Sequence, residues 1–314
     1  MPPASPDMQV MNLRDLEYVL AVMETEHFGR AALACHVSQP TLSGQIKKLE
    51  DELGVTLFER GRGGVRATDT GRAVVHQAQI ALRAAAEIRE IAQAAQDPFA
   101  GEFRLGLIPT VAPYLIPLFV ARLREALPDL SVIYREDITE RLVRDLETGE
   151  IDAAILATPP ETDALQAIPL YTEPFRLVFP DGHKLSSLAH LRMADVDRKD
   201  VLLLTEGHCF RDQALAICET PATKGTKNTT SLRATSLETL INLVAQGQGV
   251  TLVPSLAMAG LSDDLGLVDR KLEDIGAARD ISFTIRRSTS RRALAGRIAD
   301  IIRSGLPDTV SVSQ

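Results

Sequence analysis

The stretch GHCFRDQALAIC, from Gly207 to Cys218, holds two of the three cysteines in the chain. Cys209 follows a β-prone run, VLLLTEG, and opens a segment that reads as a helix. A helix N-terminus stabilises an anion by roughly 0.3–1 kcal/mol. With His208 and Arg211 beside it, Cys209 is expected to titrate below the free thiol value of about 8.5 and to supply the thiolate that attacks peroxide. Cys218 lies beside Ala216 and Ile217, without such neighbours, and reads as a quiet thiol. One activated and one quiet thiol is the arrangement of an attacking and a resolving cysteine. A zinc site is disfavoured, because His208, Cys209 and Cys218 are too few and wrongly spaced and no other Cys/His cluster accompanies them. Two unrelated core cysteines are the plainer alternative, which these residues alone leave open.

The spacing adds a constraint. If residues 209–218 form one helix, nine steps of about 1.5 Å separate the two Cα atoms by roughly 13–14 Å, with the side chains on opposite sides. A disulfide needs Cα atoms within about 7 Å. Any bond between them therefore requires the helix to open.

Two hydroxyls are further candidates. Thr110 in GLIPTVAPYLIP and Thr139 in EDITERL fall where strand C-termini meet helix N-termini, the usual ligand position of α/β folds. Each suits a helix N-cap equally well. The third cysteine, Cys35 in ALAC, reads as a small buried hydrophobe.

The elements that would position these groups can be read from composition and pattern. The chain has 314 residues, 45% of them apolar and 24% charged, with a net charge of −8. That suits two or three globular domains and carries no global basic signal. Apolar runs are too short for a membrane span. The opening MPPASPDMQV lacks the cationic and apolar regions of a signal peptide and reads as a disordered leader over residues 1–10, with Met8 or Met11 as alternative starts. Few cysteines, no export signal and no CxxC point to a reducing, cytoplasmic setting without a structural disulfide framework. No cofactor is expected.

Residues 11–69 read as a winged helix-turn-helix. Leu13, Leu16, Val19, Leu20 and Met23 make a helical stripe, and HFGRAALAC and QPTLSGQIKKLEDELG supply two more helices around the break HVS. In the third, Leu42, Ile46, Leu49 and Leu53 share a face. Ser38 can cap it, Pro40 is tolerable in its first turn, and Gly54 ends it. LFERGRGGVRAT follows as a basic hairpin wing. On this reading residues Ser38 to Lys47 enter a major groove. Gln39, Thr41 and Gln45 read bases, while Ser43, Lys47, Arg60, Arg62 and Arg66 hold phosphates. Charge argues the other way, since acidic residues outnumber basic ones by one between Leu13 and Arg72. The pattern outweighs it: FGRAALACHVSQPTLSGQIKKLEDELGVTLFER closely resembles the DNA-binding segment of LysR-type transcriptional regulators.

Residues 70–97 read as a linker helix. Val74, Ala78, Ala81, Ala85, Ile88 and Ala92 alternate at spacings of four and three, the seam of a dimerising coiled coil. Residues 98–308 then alternate strands (FRLGLIP, LSVIYRED, DAAILAT, FRLVFP, VLLLTEG, VTLVP, ISFTIRR) with helices, which predicts a mostly parallel α/β sheet. Two lobes with the chain crossing between them twice resemble the periplasmic-binding-protein-like regulatory domain of the same family. Lobe I is expected at about 98–171 plus 279–308, lobe II at about 172–278, and a tail at 309–314.

HCFRDQALAIC, RATSLETL, GLIPTVAPYLIP and CHVSQPTLSGQI together resemble the peroxide-responsive branch of that family, over Asn12 to about Gly305. The resemblance implies that hydrogen peroxide oxidises Cys209 and that Cys218 is its disulfide partner. It implies a peroxide pocket of Thr110, Thr139, His208, Arg211 and Arg279. It also implies double-stranded operator DNA and RNA polymerase as partners, control of oxidative-stress genes, and a homodimer or tetramer. Phe210, where leucine is expected, and the long polar ETPATKGTKNTTS after Cys218 depart from the pattern. The alternatives are a family member that binds a small organic effector between its lobes, with incidental cysteines, and a thiol peroxidase. The peroxidase is disfavoured because it has no use for a DNA module.

Overall fold

A computed structural model describes residues 11–61, 64–94, 97–205, 209–218, 233–259, 263–274 and 276–313. The chain divides into two compact units, one ending at Gln93 and the other beginning at Ala94.

The first unit opens with α1 (Leu13–Thr25), α2 (Phe28–Ala34) and α3 (Gln39–Leu53). Short-range signals set their ends. Asn12 and Asp15 form a capping box on α1, His27 Nδ1 accepts from the Gly29 and Arg30 amides to cap α2, and Ser38 Oγ accepts from the Thr41 amide to cap α3. Gly54, at φ 68°, takes the left-handed conformation that ends α3. Val19, Val22, Ala31, Leu42, Ile46 and Leu49 make the core. The wing is an antiparallel pair, β1 (Phe58–Gly61) and β2 (Gly64–Ala67), with Glu59 opposite Arg66. It is tied back by the Val65 amide, which donates to the Glu26 carbonyl at 3.2 Å.

Helix α4 (Asp69–Ala94) completes the unit. The expected seam is not uniform along it. Ala78 is buried and Val74 is half-buried against the unit's core, whereas Ile88 is 68% exposed. Ile80 and Ile91, outside the expected seam, are exposed as well.

The second unit runs β3 (Gly101–Leu107), α5 (Ala112–Ala126), β4 (Leu130–Glu136), α6 (Thr139–Thr148), β5 (Ala153–Leu156) and the 16-residue β6 (Leu165–Pro180). It continues through β7 (Leu203–Leu204), α7 (Cys209–Cys218), β8 (Arg233–Ala234), α8 (Leu237–Ala245), β9 (Thr251–Pro254) and α9 (Ser255–Met258). It closes with β10 (Leu267–Lys271), β11 (Ala278–Arg286), α10 (Arg292–Ser304) and β12 (Ser311–Val312). The main sheet has the order β10-β6-β11-β5-β3-β4, with β9 and β12 also on β6. The expectation of a mostly parallel sheet fails. Only β3–β4, β3–β5 and β7–β8 are parallel among the named ladders, and every partner of β6 is antiparallel to it. The reason is β6 itself, which runs unbroken through both lobes and recruits return strands on both edges.

Two cores follow from that crossing. Phe103, Leu105, Phe119, Ile155, Tyr171, Phe283 and Ile298 belong to the first, and Phe175, Phe179, Leu202, Phe210, Leu240 and Val253 to the second. Gly106 lets α6 lie close on β3, since a Cβ there would sit 2.7 Å from Leu142 Cδ2. The tail is not loose: β12 pairs with Tyr171 and Thr172 of β6. No helix among the described residues is long and apolar enough to cross a membrane.

Candidate functional site

Cys209 is the first residue of α7 and a free, half-buried thiol. Phe210 and Ala214, one turn apart on one face, are buried in the second core, and the Phe210 ring meets Phe175 edge-on at 5.5 Å. Asp212 adds an acidic group to the first turn, where the helix end favours it. The helix therefore holds by one apolar face and presents its N-terminus, with Cys209, to the neighbouring lobe.

There it meets a cavity of about 180 Å³ between atoms, lined by Ile108, Pro109, Thr110, Ile138, Thr139, Cys209 and Phe210. Its open centre has room for about one water molecule. Residues from three separate stretches between Ile108 and Phe210 thus converge on one small volume.

Neither threonine caps a helix with its hydroxyl. The N-cap of α5 is Val111 and that of α6 is Ile138, both without a side-chain cap. Thr110 is buried, and its Oγ1 accepts from Arg279 Nη1 at 2.8 Å while its carbonyl accepts from Nη2 at 3.0 Å. Thr139 Oγ1 is buried with no hydrogen-bond partner among the described residues. A buried, unpartnered hydroxyl is costly unless something supplies its bond.

The remaining expected pocket residues divide. Arg279 stands behind the cavity rather than in its lining, braced by Glu173 and with its guanidinium 5.8 Å from the Phe210 ring centre. Arg211 is half-buried on α7 but does not line the cavity. Two residues from Cys209 it is turned about 200° around the helix, so one face cannot present both. His208 lies outside the described residues, as does most of the ETPATKGTKNTTS segment. The backbone of Cys218 closes α7, so the helix runs unbroken between the two cysteines.

Two polar residues at this site were not anticipated. Gln213, four residues after Cys209 and so on its face, donates Nε2 to the Ala157 carbonyl at 2.8 Å and leaves a buried Oε1 without a partner among the described residues. Its i, i+4 spacing from Cys209 was the available signal. Glu173 sits in the apolar run LYTEPF, where a lone carboxylate gives no hint of its partner.

Cys35 packs against the first unit's core without being fully buried. It is half-buried at the C-cap of α2, and its carbonyl accepts from Arg14 Nη2 at 2.8 Å. Burial pushes its thiol pKa up, against the opposing charge of Arg14 and with Glu17 and Glu24 adding to the rise.

On the first unit, Ser38, Gln39, Pro40, Thr41, Gln45 and Lys47 are exposed along the N-terminal half of α3, and Ser43 is half-buried. Ser38 Oγ and Thr41 Oγ1 lie 2.7 Å apart, so the cap itself orders this face. Arg66 is exposed on β2, and Arg60 stands opposite Val65 in the hairpin register. Arg62 lies outside the described residues.

Residues 13–72 match the family model of the bacterial regulatory helix-turn-helix protein, lysR family, and residues 96–307 match the LysR substrate binding domain. A hydrogen peroxide-inducible genes activator of Pectobacterium carotovorum subsp. carotovorum is 40% identical over 304 residues, covering 96% of this chain and 100% of that one. The DNA-binding transcriptional dual regulator OxyR of Escherichia coli (strain K12) is 41% identical over 294 residues, covering 94% and 95%. Among solved structures, a cysteine-to-aspartate variant of full-length OxyR from Pseudomonas aeruginosa superimposes with a TM-score of 0.75 at 38% identity, over 94% of this chain and 98% of that one. A hydrogen-peroxide-bound cysteine-to-serine mutant of Corynebacterium glutamicum OxyR gives 0.63 at 34%, over 94% and 92%.

Proposed function

The chain belongs to the LysR family of bacterial transcriptional regulators, and on that premise we propose that it binds operator DNA and changes its regulatory state when hydrogen peroxide oxidises Cys209. One observation carries this reading. A water-sized cavity joins the Cys209 thiol to one hydroxyl with a proton to donate, Thr110, and one buried hydroxyl without a partner among the described residues, Thr139. Ligand pockets for organic molecules run to about 300–1,000 Å³. This cavity is far smaller, which favours a small oxidant over an organic effector.

The chemistry follows from the groups present. The Cys209 thiolate attacks one peroxide oxygen, the O–O bond breaks, and the departing hydroxide takes a proton to leave as water. Negative charge grows on that oxygen, and hydroxyl donors aimed at it lower the barrier. Cys209 becomes a sulfenic acid, which the Cys218 thiol attacks with release of a second water, forming the disulfide. Two thiols thus reduce one peroxide to two waters. The protein's own thiols are consumed, which is the behaviour of a sensor; a separate thiol reductant resets it.

Helix α7 makes the second step conformational. Along an intact helix the two Cα atoms stand roughly 13–14 Å apart, well beyond the reach of about 7 Å that a disulfide allows. The helix must open, withdrawing Phe210 and Ala214 from the second core, and the bond then holds the segment in a second fold. The polar face of α3 reads bases from the major groove while the wing arginines hold phosphates. Exposed Ile88 and Ile91 on α4 support dimerisation through that helix.

Counting thiols by mass after stoichiometric peroxide tests the reading. The wild type should lose two thiols to an intramolecular bond, Cys218→Ser should stop at a sulfenic acid, and Cys209→Ser should stay reduced. Operator footprints should differ between the reduced and oxidised wild type. Oxidation that begins at Cys218 or Cys35 would end the proposal.

A further inference from the structure

Glu173 and Arg279 stand directly opposite each other on β6 and β11, the two strands that carry the chain between the lobes. Glu173 is completely buried and Arg279 is 3% exposed. Oε1 of Glu173 accepts from Arg279 Nε at 2.8 Å and lies 2.7 Å from Nη2, and Oε2 accepts from the Leu256 amide at 3.2 Å. Burying two charges costs much of what their attraction returns, so such a pair is weak evidence of a purely stabilising role. The geometry shows another. Arg279 turns Nη1 to the Thr110 hydroxyl and Nη2 to the Thr110 carbonyl. A guanidinium donates and never accepts. Thr110 Oγ1 is therefore the acceptor in that bond, and its own proton is left for the cavity shared with Thr139 and Cys209.

We propose that Glu173 is a positioning residue for the peroxide reaction: by anchoring Arg279 it holds the Thr110 hydroxyl with its proton directed into the cavity. The inference rests on the peroxide reading of that cavity. In the reaction Thr110 donates a hydrogen bond to the peroxide and no net proton. The bond strengthens as charge grows on the departing oxygen, and a donor held in place beforehand does not have to reorganise. Without the carboxylate, the guanidinium is a buried charge with neutral acceptors only, and the hydroxyl is free to turn.

The test uses the full-length protein and two reactions of Cys209, oxidation by hydrogen peroxide and alkylation by iodoacetamide, which needs the thiolate but no aligned hydroxyl. Glu173→Gln should slow peroxide oxidation at least roughly tenfold and leave alkylation unchanged. Glu173→Asp, which keeps the charge, should recover most of the loss. Glu173→Gln combined with Thr110→Val should be no slower than Thr110→Val alone, because both act on one hydroxyl. A merely structural role would move both reactions together and add to the Thr110 loss, which overturns the assignment. Peroxide oxidation at the wild-type rate in Glu173→Gln overturns it too. If Glu173→Gln does not fold, the paired variant Glu173→Gln/Arg279→Gln removes both charges while keeping polar groups; it should show the same selective loss, and a wild-type rate there overturns the inference. A wild type whose Cys209 is not selected by peroxide overturns the peroxide reading and this inference with it. A selective wild type with an indifferent Glu173→Gln overturns this inference alone.

Discussion

Cys35 and Cys209 are both free, half-buried thiols, and they stand at opposite ends of their helices. Cys35 closes α2, where the helix gathers partial negative charge, and burial with nearby Glu17 and Glu24 keeps its proton on. Cys209 opens α7, at the opposite pole of its helix, and faces a cavity with two hydroxyls. Exposure does not separate the two. Helix polarity and the groups around the adjoining space do.

The largest effect expected from that contrast is selectivity. At neutral pH peroxide should oxidise Cys209 at least roughly a hundredfold faster than Cys35, the range that aligned donors supply. Peptide mapping after timed quenching measures both sites, and equal rates would dissolve the comparison.

Removing the hydroxyls sharpens it. Thr110→Val and Thr139→Val should each slow Cys209 oxidation by roughly ten- to a hundredfold and leave Cys35 untouched. The two should differ in folding. Thr110→Val breaks a bond to Arg279, whereas Thr139→Val removes a buried hydroxyl that has no partner among the described residues and should hold or raise thermal stability. A Thr139→Val protein that melts earlier would assign that hydroxyl a structural bond instead.

A smaller effect lies in the second step. Phe210 anchors α7 against Phe175, and Phe210→Leu should loosen it by about 1 kcal/mol, which is about a fivefold faster closure of the disulfide once Cys209 is oxidised. Rapid-quench trapping of the sulfenic acid reads this rate. No acceleration would mean that opening of α7 does not limit the bond.

The smallest effect concerns pH at Cys35. Its raised pKa leaves less thiolate at any pH below it, so in Cys209→Ser/Cys218→Ser the alkylation rate should climb at higher pH than for an ordinary thiol. Arg14→Ala should displace the curve further upward, since Arg14 opposes the rise. A midpoint at or below the ordinary thiol value would remove this half of the contrast.

Much of the first unit was legible because its signals are local. Ser38, Pro40 and Gly54 mark the ends of α3 within a few residues of the groups they satisfy, and the stripe Leu42, Ile46 and Leu49 needs only the helical period. ALAC shows that Cys35 packs on the core, but its partial exposure at the end of α2 and the charged groups beside it are features of packing. The sheet was misread because period-two runs reveal strands and not their direction, and the β6 crossing reverses the ladders around it.

From the sequence by itself came the positions of Cys209, Thr110 and Thr139 at element junctions, and the nine-residue spacing that forbids a disulfide within an intact helix. These follow from covalent geometry and short-range periodicity, which the order of residues determines. Only the tertiary structure decided that the three side chains share one water-sized cavity and that Arg279 reaches it through Thr110 under the hold of Glu173. Glu173 and Arg279 lie 106 residues apart and meet because two crossing strands pair in one register. That register is set by the burial of whole faces, a long-range quantity that no local stretch of residues encodes.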